Sequence, residues 1–369
     1  MEYPISSRTR KTPHIFSLIL RSTAVALGLL LLLISLMGLT VQTRPTEEQP
    51  VLLFGIGVHI EPFGAQVSSI AIEAGARART LDPNQMDYNR RPDFERHVED
   101  LLNLAAAVED HGGLLTVQAQ TPFTTSTIRF GNSILSDFED AGHEIALHFH
   151  ENVHLGNGDE NLSPDVWAAV MQEQIDIIHH AGVENPIQYW SGGNLYPHVL
   201  EAAAAAGLSI NSDWKSPETQ STPQEFMGIH PWRPAGGTDG NDIDGFATHD
   251  SEGAVIFLPG GIVDPEDFAN KNEIRREEGL EGWLDVLEEA LESSLEAARS
   301  DRVNVFHFTV HPGEFVGDAH APYEMFADFL DDVIDPLVAA GRIRWATFSQ
   351  MADAFEVWET EHPDVDPRS

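Results

Sequence analysis

Short apolar runs and longer amphipathic stretches alternate from Val51 to Trp358. The first run, Val51-Leu52-Leu53-Phe54-Gly55-Ile56-Gly57-Val58, is apolar throughout, as a strand covered on both faces must be, and it ends at His59 and Glu61. Runs at Leu114–Val117, Ile145–His148, Ile187–Trp190, Leu208–Ser212, Ala254–Leu258, Val303–Val310 and Ile343–Thr347 predict further strands. Between them, apolar spacing predicts helices over Phe94–His111, Ser133–Ala141, Pro164–Ala181, Pro197–Ala206, Leu280–Arg299, Tyr323–Ala340 and Ser349–Trp358. Gly112, Gly142, Gly182, Gly207 and Gly341 supply helix stops, and Ser163-Pro164 supplies a helix start. The stretch from Lys215 to Gly253 is rich in Pro, Gly and Asp and predicts a long loop. Strands alternating with helices are the signature of a mainly parallel α/β sheet. Some seven or eight such units in roughly 300 residues predict a distorted (β/α) barrel, with an open doubly wound sheet as the alternative. No glycine-rich phosphate loop follows the first strand, which argues against nucleotide binding.

The N-terminus follows different rules. Residues 1–21 form a basic tail carrying Arg8, Arg10, Lys11 and Arg21. Residues 22–43 are uncharged and long enough to cross a bilayer as one helix, and the positive-inside rule places the tail in the cytoplasm. The expectation is a membrane anchor with the catalytic part outside the cytoplasm, or a secreted protein if that segment is a cleaved signal peptide. Residues 44–50 are a polar linker, 51–358 the barrel, and 359–369 an expected disordered tail.

Charge narrows the partners. Against 59 acidic residues stand 21 basic ones, a net charge of −38. Such a surface repels nucleic acid, so none is expected as a partner. Two settings fit the charge. One is a salt-rich medium, where the Debye length falls to about 3 Å near 1 M salt; the other is an ordinary acidic exported protein. A melting temperature that climbs steeply with salt selects the first. There is no cysteine, so any metal must be held by His, Asp or Glu.

The densest chemistry lies in Gly142-His143-Glu144-Ile145-Ala146-Leu147-His148-Phe149-His150-Glu151-Asn152-Val153-His154. Its strand runs into a loop containing Gly156, Asn157 and Gly158, and parallel α/β proteins place their chemistry at such ends. Polar groups accumulate at the other predicted strand ends: His59 and Glu61, Trp190 and Ser191, Asp213 and Trp214, and His311. A hydrolytic zinc-type site needs about three protein ligands and an open position. Glu61 with two of His148, His150 and His154 meets that need, and the spacing alone does not choose between His150 and His154. His311, before the Pro312-Gly313 turn, is the candidate acid. His59 shares a strand face with Glu61 and is the candidate base. Trp190, Asp213 and Trp214 are candidate substrate contacts, Trp232 a further stacking surface. His143 and Glu144, at the strand's start, read as structural, as does the mid-strand His307.

Gly142-His143-Glu144-Ile145-Ala146-Leu147-His148 resembles a conserved segment of the polysaccharide deacetylase (NodB-homology) superfamily. Ser191-Gly192-Gly193-Asn194-Leu195-Tyr196, Asp213-Trp214, Thr309-Val310-His311 and Thr347-Phe348-Ser349-Gln350-Met351 resemble its later motifs. The resemblance spans most of the chain after Val51. It implies a distorted (β/α) barrel, a divalent metal, zinc first, with His148 among its ligands, and hydrolysis of N- or O-acyl groups on sugars with His311 as acid. The chain departs from the family at Val58-His59-Ile60-Glu61, where the family has paired aspartates. It departs again at Asn152, where the family has its second ligand histidine, and at Tyr189-Trp190-Ser191-Gly192, which lacks the family's arginine. The competing reading is a carbohydrate-binding or scaffold protein without catalysis. Glycoside hydrolysis is a third reading and needs two carboxylates, with Asp213 and Glu314 as partners for Glu61.

Overall fold

The computed structural model describes residues 49–61, 63–78, 86–157, 161–192, 199–212, 222–236, 242–312 and 322–369. The anchor expected at 22–43 and the candidate contacts Asp213, Trp214 and Glu314 lie outside these residues. Among the described residues no helix is long and apolar enough to cross a membrane.

Eight parallel strands form one sheet: β1 (Leu52–His59), β2 (Leu115–Ala119), β3 (Glu144–His148), β4 (Tyr189–Ser191), β5 (Ile210–Asn211), β6 (Ile256–Phe257), β7 (Asn304–Val310) and β8 (Ile343–Trp345). Their order is β6-β5-β4-β3-β2-β1-β7. β7 pairs with β1 over Leu52–Val58. A strand has two edges, so β8, on Leu52–Phe54, and β2, on Ile56–His59, divide the other one. The four longest helices are α1 (Arg91–Asp110), α2 (Pro164–His180), α3 (Gly279–Ala297) and α4 (Phe348–Glu361).

Alternation along the strands separates two cores. Leu52, Phe54, Ile56 and Val58 of β1 pack with Leu101 and Leu104 of α1, Val170 of α2 and Leu287 of α3. Leu53, of opposite parity, packs with Ala146, Tyr189, Ile210, Ile256 and Val305 against Phe348, Met351 and Phe355 of α4. α4 therefore fills the inner face of the curled sheet. The glycines of β1 make room for it: a Cβ on Gly55 would meet Ala346 O at 2.7 Å and Met351 Cε at 2.8 Å.

The parallel sheet curls into a half-barrel that is interrupted at one seam. No ladder joins β6 to β7 among the described residues. A segment from the predicted long loop crosses between them instead. Gly228 bridges Gly261, Trp232 bridges Phe257, and Val305 N–H donates to Ile229 O at 2.7 Å. His307 Nε2 reaches Leu258 O at 3.0 Å across the same seam, which accounts for its burial.

Phe123–Phe130 adds a helix to those expected, and its Thr125 and Thr127 hydroxyls donate to the Pro122 and Thr124 carbonyls. Two expectations change. The helix predicted over Tyr323–Ala340 contains a π-helical turn, Leu330–Ile334, ahead of Pro336, which has no N–H to continue the ladder. The tail expected to be disordered is docked. Residues 359–361 complete α4, Val365 packs on the inner core, and the Arg368 guanidinium lies 4.1 Å from the Trp232 ring centroid while donating to Ala247 O and Glu225 O. Burying a cation against an indole and two carbonyls outweighs the polar character that suggested disorder.

Candidate metal centre

The alternation that separates the cores also selects the site. On β1, His59 and then Glu61 continue the inward series of Leu53, Gly55 and Gly57. On β3, His148 and then His150 continue that of Ala146; on β7, His311 continues that of Val305, His307 and Thr309. Three strands thus deliver their C-terminal ends to one place.

The Glu61 carboxylate and the His148 and His150 imidazoles each offer a donor atom, all within 4.8 Å of one another. Glu61 Oε2 lies 3.6 Å from His150 Nε2, and Glu61 Oε1 lies 2.8 Å from His311 Nε2. His148 is 1% exposed. Its Nδ1 is 2.8 Å from Ser191 Oγ, and its Nε2 is buried with no hydrogen-bond partner among the described residues. The His59 ring stacks on His148 with centroids 4.1 Å apart and planes at 24°. His150 meets His148 edge-on at 4.7 Å, and His311 meets His59 edge-on at 5.6 Å.

Electrostatics suits a cation. Burial would raise the Glu61 pKa, but the His311 hydrogen bond and the nearby His150, His311 and His59 outweigh it and bring the carboxyl down to about 2. Burial, reinforced by the surrounding histidines, holds His148 well below the ordinary imidazole range. Glu61 is therefore ionised and His148 neutral, the forms in which each binds a metal. An ionised carboxylate only accepts, so the His311 proton sits on Nε2. A neutral buried imidazole with one nitrogen fixed by a hydroxyl and the other left bare is the arrangement of a metal-binding histidine with its supporting contact. The residues present fit a divalent ion.

His154 stands apart. It is 1% exposed, and its Nε2 donates to Gln120 Oε1. Burial, with the His150 charge, lowers its pKa to about 3. Of the two alternatives left open by spacing, His150 faces Glu61 and His148, and His154 does not.

Trp190 is corrected. It is 2% exposed and lies in the outer core, because its parity is opposite to that of Ser191. Trp232 is 1% exposed, and its indole N–H donates to Phe246 O at 2.7 Å. Neither indole offers a face for a sugar. The structural readings of His143 and Glu144 agree with their contacts. Leu115 N–H donates to His143 Nδ1 and His143 Nε2 reaches Glu109, each at 2.9 Å. Glu144 accepts from Thr116 Oγ1 at 2.8 Å and from Ser349 N–H at 3.1 Å, tying β3 to the start of α4. Sequence reasoning left Ser191 without a role and missed Gln118 and Gln120. The available signal was polar residues at alternate positions of an otherwise apolar strand, Thr116-Val117-Gln118-Ala119-Gln120.

No protein-family model matches this sequence, and no curated protein matches it. Solved structures do. A putative glycoside hydrolase/deacetylase from Parabacteroides distasonis superposes with a TM-score of 0.52 at 14% identity, over 86% of this chain and 73% of that one. The two share a fold. A probable polysaccharide deacetylase from Pseudomonas aeruginosa PAO1 gives 0.49 at 15% identity, over 86% of this chain and 94% of that one. A 4-alpha-glucanotransferase from Thermococcus litoralis gives 0.48 at 12% identity over 83% of this chain, which spans only 40% of the length of that enzyme. Of the architecture expected from the sequence resemblance, the parallel α/β sheet is found, curled into a half-barrel.

Proposed function

We propose that this chain is a divalent-metal-dependent hydrolase that removes acyl groups from the nitrogen or oxygen of a carbohydrate. The reading includes attachment to a membrane through residues 22–43, with the barrel outside the cytoplasm. One observation carries the chemistry: Glu61, His148 and His150 converge at the C-terminal end of a parallel sheet, with His148 Nε2 buried and unpaired. The substrate class is supported by the fold shared with a putative glycoside hydrolase/deacetylase and by the motifs around His148 and His311.

A divalent ion, zinc first, held by these three side chains would supply the Lewis acidity that draws electrons from the acyl carbonyl. The remaining work falls to the chain's own groups. Glu61 fixes one proton on His311 Nε2 and stabilises the imidazolium formed when Nδ1 takes a second. His311 Nδ1 is then the atom that protonates the departing amine or alkoxide. His59, whose ring stacks on His148 with centroids 4.1 Å apart, is the base for the attacking water.

Metal analysis of the purified full chain and of His148→Ala tests the centre: divalent metal is expected in the first and lost in the second, and none in the parent overturns the reading. Acetate release from acetylated oligosaccharides tests the reaction. Metal without acetate release leaves a carbohydrate-binding protein in place of an enzyme.

A further inference from the structure

We propose that Gln120 and His154 are positioning residues which set the spacing between the Glu61 and His150 side chains. The inference rests on the metal-centre reading above and deepens it.

The ladder between β1 and β2 ends at His59 and Gln118, with one more backbone bond from Ile60 N–H to Gln118 O at 3.1 Å. Glu61, the next residue, lies past the sheet. What holds it is a side chain. Gln120 Nε2 donates to Ile60 O at 3.2 Å, so the amide of Gln120 replaces the missing ladder bond. The other end of that amide, Oε1, accepts from His154 Nε2–H. His154 ends a single helical turn, Glu151–His154, whose N-cap is His150. Val153 N–H and His154 N–H both donate to His150 O at 3.0 Å.

A continuous chain of hydrogen bonds therefore runs from the carbonyl preceding Glu61, through Gln120 and His154, to the carbonyl of His150. Its two ends carry the two groups that face each other at 3.6 Å. Ser68 N–H donates to His154 O at 2.8 Å, so the chain leaving Glu61 returns to the same turn. Gln120 is fully buried and His154 is 1% exposed. Because burial keeps bulk water from substituting, loss of either partner leaves an orphaned polar atom, and the two segments move apart to satisfy it. A carboxamide suits the task, offering donors at one end and an acceptor at the other on one rigid plane. This role also explains a histidine four residues after His150 that is not itself turned to the metal.

The test uses the full chain, with Zn2+ affinity read by chelator competition and amide hydrogen exchange read at Phe63 and Val153. Gln120→Met and His154→Phe are each expected to weaken Zn2+ binding about 10- to 100-fold, the usual effect of removing a supporting contact. The double variant is expected to be no weaker than the worse single one, because both break the same chain. His154→Gln, whose amide N–H reaches the same acceptor, is expected to stay within a few-fold of the parent. Exchange at Phe63 and Val153 is expected to speed up in the first two variants only. A merely structural contact would lower Tm and leave Zn2+ affinity of the folded protein unchanged; that result, or additive losses in the double variant, overturns the proposal. If Gln120→Met does not fold, His154→Phe against His154→Gln carries the comparison. If the parent binds no Zn2+, the metal-centre reading fails by itself, and unchanged exchange in the two disruptive variants overturns the positioning role separately.

Discussion

Ser191 Oγ lies 2.8 Å from His148 Nδ1 and leaves Nε2 as the unpaired nitrogen of that ring. The hydroxyl sets which nitrogen is bare and how the ring is turned. Ser191→Ala is expected to keep the fold and to weaken Zn2+ binding about 10- to 100-fold, read by chelator competition. Affinity equal to the parent's would remove Ser191 from the site.

Glu61 and His311 form a pair that can be divided by experiment. His311→Asn is expected to lower kcat by about 100- to 10,000-fold, the span typical of a lost acid or base, while bound metal stays at the parent's level. Glu61→Gln is expected to lose both. Measuring metal content beside initial rates separates the two outcomes, and metal loss in His311→Asn would make that histidine a ligand.

Gln118 is fully buried on the inner face beside His59, and among the described residues neither polar atom of its amide has a partner. Each unmet buried group costs about 1–3 kcal/mol. Gln118→Met, close in volume and free of that cost, is expected to raise Tm by several degrees. A calorimetric scan in which Tm falls would show that the amide is engaged in the folded protein.

His97 is 4% exposed, and its Nδ1 is 2.9 Å from the Tyr88 hydroxyl. Burial, with a smaller push from Arg96, lowers its pKa to about 4. The folded state therefore resists a proton that the unfolded chain accepts near pH 6.5. Above that pH neither state is charged at His97. Between pH 6.5 and 4 the unfolded state binds more protons, and stability falls as pH falls, by at most about 1.4 kcal/mol per pH unit from this one group. His97→Phe is expected to be less stable at pH 7, having lost the tyrosine contact, and to show a shallower decline through that window. Urea titrations at stepped pH report both, and parallel declines would dismiss the effect.

The sequence showed the sheet well and the site only in outline. Strands such as Leu52–His59 are apolar at consecutive positions, and the resulting contrast with the helices survives any packing detail. The positions of His59, Glu61, His148 and His311 at strand ends were legible for the same reason. The choice between His150 and His154 was not, because it depends on which way a four-residue turn faces once Gln120 has taken one of them. Trp190 was misplaced because a strand that is apolar on both sides hides its own parity; only the Ser191–His148 contact reveals which residue points inward. The seam segment Gly228–Trp232 was invisible because isolated bridges leave no periodic pattern.

That seam has a consequence for the order of events during synthesis. Ile229 is held by Val305, Trp232 is covered by Arg368, and His230 Nδ1 meets Val303 O at 3.0 Å. Every one of these partners emerges from the ribosome long after the segment it secures. The first six strands can pair as they appear, but the seam stays open until β7 is made, and the indole stays uncovered until residue 368 is out. Closure is a late, long-range step of the kind that folds slowly and exposes apolar surface while it waits.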